Sequence, residues 1–163
     1  MKKTRFSILI ILFVSQFILA QNKEEIITKM IEEVTYLASD DLEGRETGTD
    51  SEKLAADFIS KKFAEYNLSE KGDVNYFQFF TATTKENPHS QKVKRKIEGI
   101  NVVGFIDNKQ KETIIIGGHY DHLGYGDFGS LYVGERAIHN GADDNASGVS
   151  ILINLAKSLE NII

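Results

Sequence analysis

The chain contains no cysteine. That absence removes disulfides, thiolate metal sites and cysteine nucleophiles together, so any metal must be held by His, Asp and Glu. Proline occurs once, at Pro88, inside a polar stretch from Thr83 to Arg95 that reads as an exposed loop or hairpin end. No apolar run reaches the roughly 20 residues that a membrane-spanning helix needs. There is no internal repeat and no second-domain boundary. The 41% hydrophobic and 26% charged residues fit a globular chain rather than a coiled coil, collagen or a disordered polymer. At 163 residues it is long enough for one domain with a core.

The longest apolar run lies at the start. Lys2, Lys3 and Arg5 precede Phe6 to Ala20, which is interrupted only by Ser7, Ser15 and Gln16. This basic start, short apolar stretch and small final residue predict a signal peptide over 1–20, with Gln21 opening the mature chain. The protein is therefore expected to be exported, to the periplasm or the extracellular space. With no cysteine at the cleavage point, neither a lipid anchor nor stable membrane insertion is expected after cleavage. Losing those three basic residues takes the net charge from −5 to −8. So acidic an exported protein argues against nucleic acid and anionic lipid as partners.

Hydrophobic spacing predicts a helix over Glu24 to Ala38, a polar loop over Ser39 to Asp50, and a second helix from Ser51 to Tyr66. Ser51 is the expected cap of that second helix, and Leu54, Ala55, Phe58, Ile59 and Phe63 its buried face. Val74 to Thr81, Glu98 to Ile106 and Thr113 to Gly117 read as strands, the last apolar enough to be buried on both faces. Helical spacing returns from Ser147 to Ile163. The chemistry-bearing residues follow the strand at 113–117, where sites form in open α/β sheets.

Two clusters stand out. In Gly117-Gly118-His119-Tyr120-Asp121-His122, residues two apart on an extended segment point to one side, so Asp121 can orient the His119 imidazole and raise its basicity toward a metal. In Gly141-Ala142-Asp143-Asp144-Asn145-Ala146-Ser147-Gly148, adjacent carboxylates repel one another unless a cation or hydrogen bonds compensate them. Taken alone, Asp144 or Asn145 would be read as a cap of the following helix. Paired with His119, metal binding becomes the stronger reading. His122 is expected in a supporting or surface position, and His139 is a lesser candidate ligand or substrate contact. Arg45 and Glu46 are expected to tie the early loop to the domain. The sequons at Asn67 and Asn145 are discounted, the second because a glycan would crowd the site.

The run from Gly117 to Gly124, followed by Asn140 to Gly148, resembles the co-catalytic zinc aminopeptidases, the family of aminopeptidase Y and the bacterial leucyl aminopeptidases. Leu37 to Thr49 is similar to the opening of exported bacterial members. The resemblance implies a three-layer α/β sandwich with a mixed, largely parallel sheet between helices, of which residues 21–163 would be the N-terminal part. It implies two zinc ions, with His119 binding one and Asp144 bridging both. Asp121 would hold the imidazole as a catalytic residue, with Asp143 in support. The implied reaction is hydrolysis of the N-terminal peptide bond of peptides or proteins by a metal-activated water.

One departure matters. The family's Glu-Glu pair, which supplies the general base and a zinc ligand, and its later Asp and His ligands have no counterpart after the second cluster. Glu24-Glu25 and Glu32-Glu33 precede the motifs on an amphipathic helix and read as its solvated face. The 163 residues alone are thus expected to be an inactive portion. The alternatives are a carboxypeptidase-like or glutaminyl-cyclase-like relative on the same scaffold, or a truncated non-catalytic protein.

Overall fold

The computed structural model describes residues 23–85 and 93–160. The expected signal segment at 1–20, Pro88, and Ile162 and Ile163 lie outside the described residues.

Helix α1 covers 23–37. A 3-10 turn at Asp40–Leu42 leads into the loop that precedes helix α2, Asp50–Glu65. The cap of α2 is Thr49 rather than Ser51: the Thr49 hydroxyl accepts the Glu52 N–H at 3.2 Å. Asp50 and Glu52 in the first turn complement the positive helix end. Ala55, Ile59 and Phe63 are buried as expected, whereas Leu54 is 48% exposed and turns away from the core. Helix α3 runs Ser147–Glu160.

The strands form two antiparallel pairs. Strand β1, Ser69–Glu70, pairs with β4, Gly104–Phe105. Strand β2, Phe77–Lys85, pairs with β3, Val93–Val102, and Phe77 lies opposite Val102. The expected strand from Val74 begins late because 72–77 form a tight turn. Asn75 sits at φ 53°, and the Gly72 N–H donates to the Asn75 carbonyl at 2.8 Å. The expected strand Glu98 to Ile106 is split at Val103, whose N–H donates to the Tyr76 carbonyl at 2.7 Å.

The larger correction is at Thr113 to Gly117. It forms no strand, and Ile114 and Ile115 are 86% and 91% exposed. A strand buried on both faces requires neighbours at its edges and helices above and below. Among the described residues, neither antiparallel ladder reaches this segment. The described chain is therefore mixed α/β with small antiparallel sheets. An isolated parallel bridge joins Glu46 to His122.

The core is built from the inward faces of α1, α2 and α3, with Leu37, Leu42, Ala55, Ile59, Phe63, Val149 and Ile153 at its centre. Buried among them is Glu33, which overturns its reading as part of a solvated face; Glu24, Glu25 and Glu32 are exposed as expected. The carboxylate of Glu33 accepts hydrogen bonds from Ser150 Oγ and Asn154 Nδ2, each at 2.7 Å, and Lys62 Nζ lies 4.0 Å away. The inward face of α3 carries those two polar side chains, and a carboxylate on α1 is the acceptor that lets them be buried. The outer face of α3 leaves Ile151 56% exposed and Leu155 and Leu159 partly so. Among the described residues no helix is long and apolar enough to cross a membrane.

Candidate metal centre

The site lies where the loop 118–124 meets the turn before α3, and the early loop 43–49 holds the two together. Arg45 is the fastener. It is fully buried, and its guanidinium donates to main-chain carbonyls only: to Leu37, to Tyr120 at 2.7 Å, to Asn140 at 2.8 Å and to Gly141 at 3.0 Å. Tyr120 separates His119 from Asp121, while Asn140 and Gly141 lead into Asp143 and Asp144. One planar fork with several donors therefore fixes the spacing of both motifs. Burial lowers the Arg45 pKa, an effect opposed by the nearby charges of Asp121 and Asp144.

Backbone bonds continue this tie. The His122 N–H donates to the Arg45 carbonyl at 3.2 Å, and the Gly124 N–H to the Gly44 carbonyl at 3.1 Å. Gly44 adopts φ 72°, and a Cβ there would meet the His139 carbonyl at 2.5 Å, so only glycine fits that approach. Glu52, buried in the first turn of α2, accepts the Gly48 N–H at 2.6 Å and the Ile100 N–H at 2.9 Å. The Tyr120 hydroxyl donates to the Ile100 carbonyl at 2.5 Å, and burial pushes its pKa well above the ordinary phenol value.

Within this frame, the expected site residues come together. His119 Nε2 stands 3.1 Å from Asp144 Oδ1. The next side chain along, Asn145, donates through Nδ2 to the His119 carbonyl at 3.2 Å and fastens the two loops side by side. On the other edge of the ring, His119 Nδ1 lies 3.1 Å from the Asp121 carbonyl oxygen and 3.5 Å from Asp121 Oδ1. The second carboxylate oxygen, Oδ2, accepts the Thr47 hydroxyl at 2.6 Å. Asp143 is exposed, and its carbonyl accepts from Ser147 Oγ at 3.0 Å.

The capping alternative for Asp144 gives way to a different arrangement. Its backbone is non-helical, with φ −116° and ψ 89°, and the Asp144–Asn145 peptide bond is cis. Both of its carboxylate oxygens face imidazoles, Oδ1 toward His119 and Oδ2 toward His122 Nδ1 at 3.7 Å. His122 thus stands beside Asp144, with its side chain 15% exposed. Burial lowers its pKa, with the Asp144 charge acting in the opposite direction. His139 is further out: its ring centroid is 6.4 Å from that of His122, and Nε2 lies 3.2 Å from Ser130 Oγ.

Thr47 and Glu52 are the participants that spacing does not single out. Thr47 lies between Gly44 and Gly48 in the early loop, where a hydroxyl reads as one more turn residue. Its role follows only from the three-dimensional approach of residue 121.

The donors suit zinc in kind, an imidazole nitrogen and carboxylate oxygens with no sulfur. In number they are few. Among the described residues no group of three or more His, Cys, Asp or Glu side chains is arranged to hold a metal ion. His119 and Asp144 stand side by side, with Asp121 at the Nδ1 edge of the imidazole.

No solved structure matches the chain. A curated relative, the alkaline phosphatase isozyme conversion protein of Escherichia coli (strain K12), is 30% identical over 122 residues, 72% of this chain and 33% of the relative. The chain spans about a third of the length of that relative. Residues 101–162, which carry His119, Asp121 and Asp144, match the family model of Peptidase family M28.

Proposed function

We propose that this chain contributes to an exported zinc metallopeptidase that removes residues from peptide or protein N-termini, built on a three-layer α/β sandwich. The observation that carries the reading is the 3.1 Å approach of His119 Nε2 to Asp144 Oδ1, in a stretch that matches a peptidase family. His119 and Asp144 would hold zinc, with Asp144 as the bridging ligand if two ions bind. When bound, zinc would supply Lewis acidity toward the scissile carbonyl and lower the pKa of a water.

The chain's own residues do the positioning. Asp121 faces the Nδ1 edge of His119 and leaves Nε2 directed at the Asp144 side. Arg45 holds the backbones of both loops at fixed spacing, and His122 faces the second oxygen of Asp144. The base that relays a proton to the leaving amine is assigned outside the two motifs.

Metal analysis and aminoacyl-nitroanilide hydrolysis, run on the product of the complete gene, test the proposal. Zinc bound by the wild type and lost in His119→Ala is the expected result. A product with neither zinc nor aminopeptidase activity would overturn it.

A further inference from the structure

Within that zinc reading, the geometry points to Thr47 as a positioning residue: its hydroxyl fixes the Asp121 carboxylate, which sets the His119 imidazole. Thr47 Oγ1 donates to Asp121 Oδ2 at 2.6 Å, and the remaining oxygen of the same carboxylate stands 3.5 Å from His119 Nδ1. The side chains of Asp121 and His119 are 42% and 55% exposed, so packing alone does not fix either one. The Thr47 hydrogen bond stops the carboxylate from turning about its own axis and presents one defined oxygen to the ring.

Thr47 is itself held firmly. Two residues before it, Arg45 is buried with its guanidinium bonded to the surrounding backbone. Glu46 bridges to His122, and Thr49 caps α2 through the Glu52 N–H. The Thr47 methyl lies against β3, where a Cβ added to Gly99 would sit 2.7 Å from Cγ2. A β-branched side chain in such contact has little freedom at χ1, so the hydroxyl direction follows from the backbone. Carboxylates that orient a metal-binding imidazole are themselves commonly held by hydrogen bonds, and losing such partners weakens metal binding. Thr47 fills that place one bond further from the metal.

The test compares the wild-type product of the complete gene with its Thr47→Val variant, which keeps the methyl contact, and its Thr47→Ser variant, which keeps the hydroxyl. Zinc affinity is read by competition with a chromophoric chelator, and the His119 ring is read in the metal-free chain by imidazole nitrogen–proton correlation at fixed pH. Thr47→Val is expected to weaken zinc binding about tenfold, and Thr47→Ser to stay within about threefold of wild type. The His119 ring signals should move in metal-free Thr47→Val but not in Thr47→Ser, while those of His139 stay in place. Unchanged affinity and unchanged His119 signals in Thr47→Val would overturn the assignment. Equal losses in both variants would overturn it too, since they would show a loop role independent of the hydroxyl. A complete gene product that binds no zinc would refute the zinc reading itself, and the metal-free ring signals would still decide the role of Thr47.

Discussion

Two segments lead into the same site from opposite surroundings. Residues 43–49 are polar and glycine-rich, yet they contain the fully buried Arg45 and are tied to residues 120–124 and 139–141. Residues 113–117 are almost wholly apolar, yet Ile114 and Ile115 are nearly as exposed as free side chains. Burial here follows hydrogen-bond demand rather than hydrophobicity. The early loop is held inside because the carbonyls of two approaching loops need donors, and a guanidinium supplies several from one rigid plane. The isoleucine run has apolar surface to bury but no neighbouring strand among the described residues.

If that contrast is right, the largest loss should come from the polar fastener. Arg45→Met keeps much of the volume but leaves the carbonyls of Leu37, Tyr120, Asn140 and Gly141 without their donor. The expected cost is about 3 kcal/mol or more, read from urea denaturation. Arg45→Lys should recover only part of it, because a single ammonium cannot span the same fork of acceptors. A loss below about 1 kcal/mol for Arg45→Met would break the comparison at its buried end.

A smaller effect is expected at Glu33, where one buried carboxylate serves Ser150 and Asn154 on α3. Glu33→Ala should cost about 2 kcal/mol, and Glu32→Ala, one residue away and exposed, less than about 0.5 kcal/mol. Similar values for the pair would mean that Glu33 is as solvated as its neighbours on α1.

The same buried side carries a pH signature. Burial is the main cause that raises the pKa of Tyr66 and Tyr76, and the Tyr76 hydroxyl donates to the Leu68 carbonyl at 2.6 Å. A folded-state value above the unfolded one means that the neutral phenols contribute stability fully below about pH 10, the unfolded value. That contribution is lost as pH rises through the higher folded values. Denaturation midpoints should therefore fall above about pH 10, and Tyr76→Phe should reduce that fall. A midpoint flat through this range would contradict the burial of these rings.

The contrast also explains how much is legible in the sequence. The helices at 23–37 and Asp50–Glu65 follow from local spacing, and so does the pairing of His119 with Asp121, while the place of Asp144 beside them rests on the resemblance carried by the two motifs together. Sequence context assigns Arg45 to tying the early loop down, though not to reaching both motifs at once. The burial of Glu33 and the contact between Thr47 and Asp121 depend on distant partners, Ser150 and Asn154 in one case and residue 121 in the other. No local pattern around either residue contains that information. The segment at 113–117 departs from expectation for the converse reason. Its composition describes a strand between two others, and composition specifies a preference without supplying the partners.

The exposed end of the comparison yields the smallest expected change. Ile114→Ser and Ile115→Ser remove apolar surface that lies 86% and 91% open, so together they should shift the unfolding free energy by less than about 0.5 kcal/mol. The amide hydrogens of 113–117 should exchange without protection, since no ladder pairs them among the described residues. A loss of about 2 kcal/mol or more from the serine pair would be the size of burying such side chains. That outcome would place 113–117 inside a sheet and remove the contrast, leaving hydrophobicity and hydrogen-bond demand acting in the same direction at both approaches to His119.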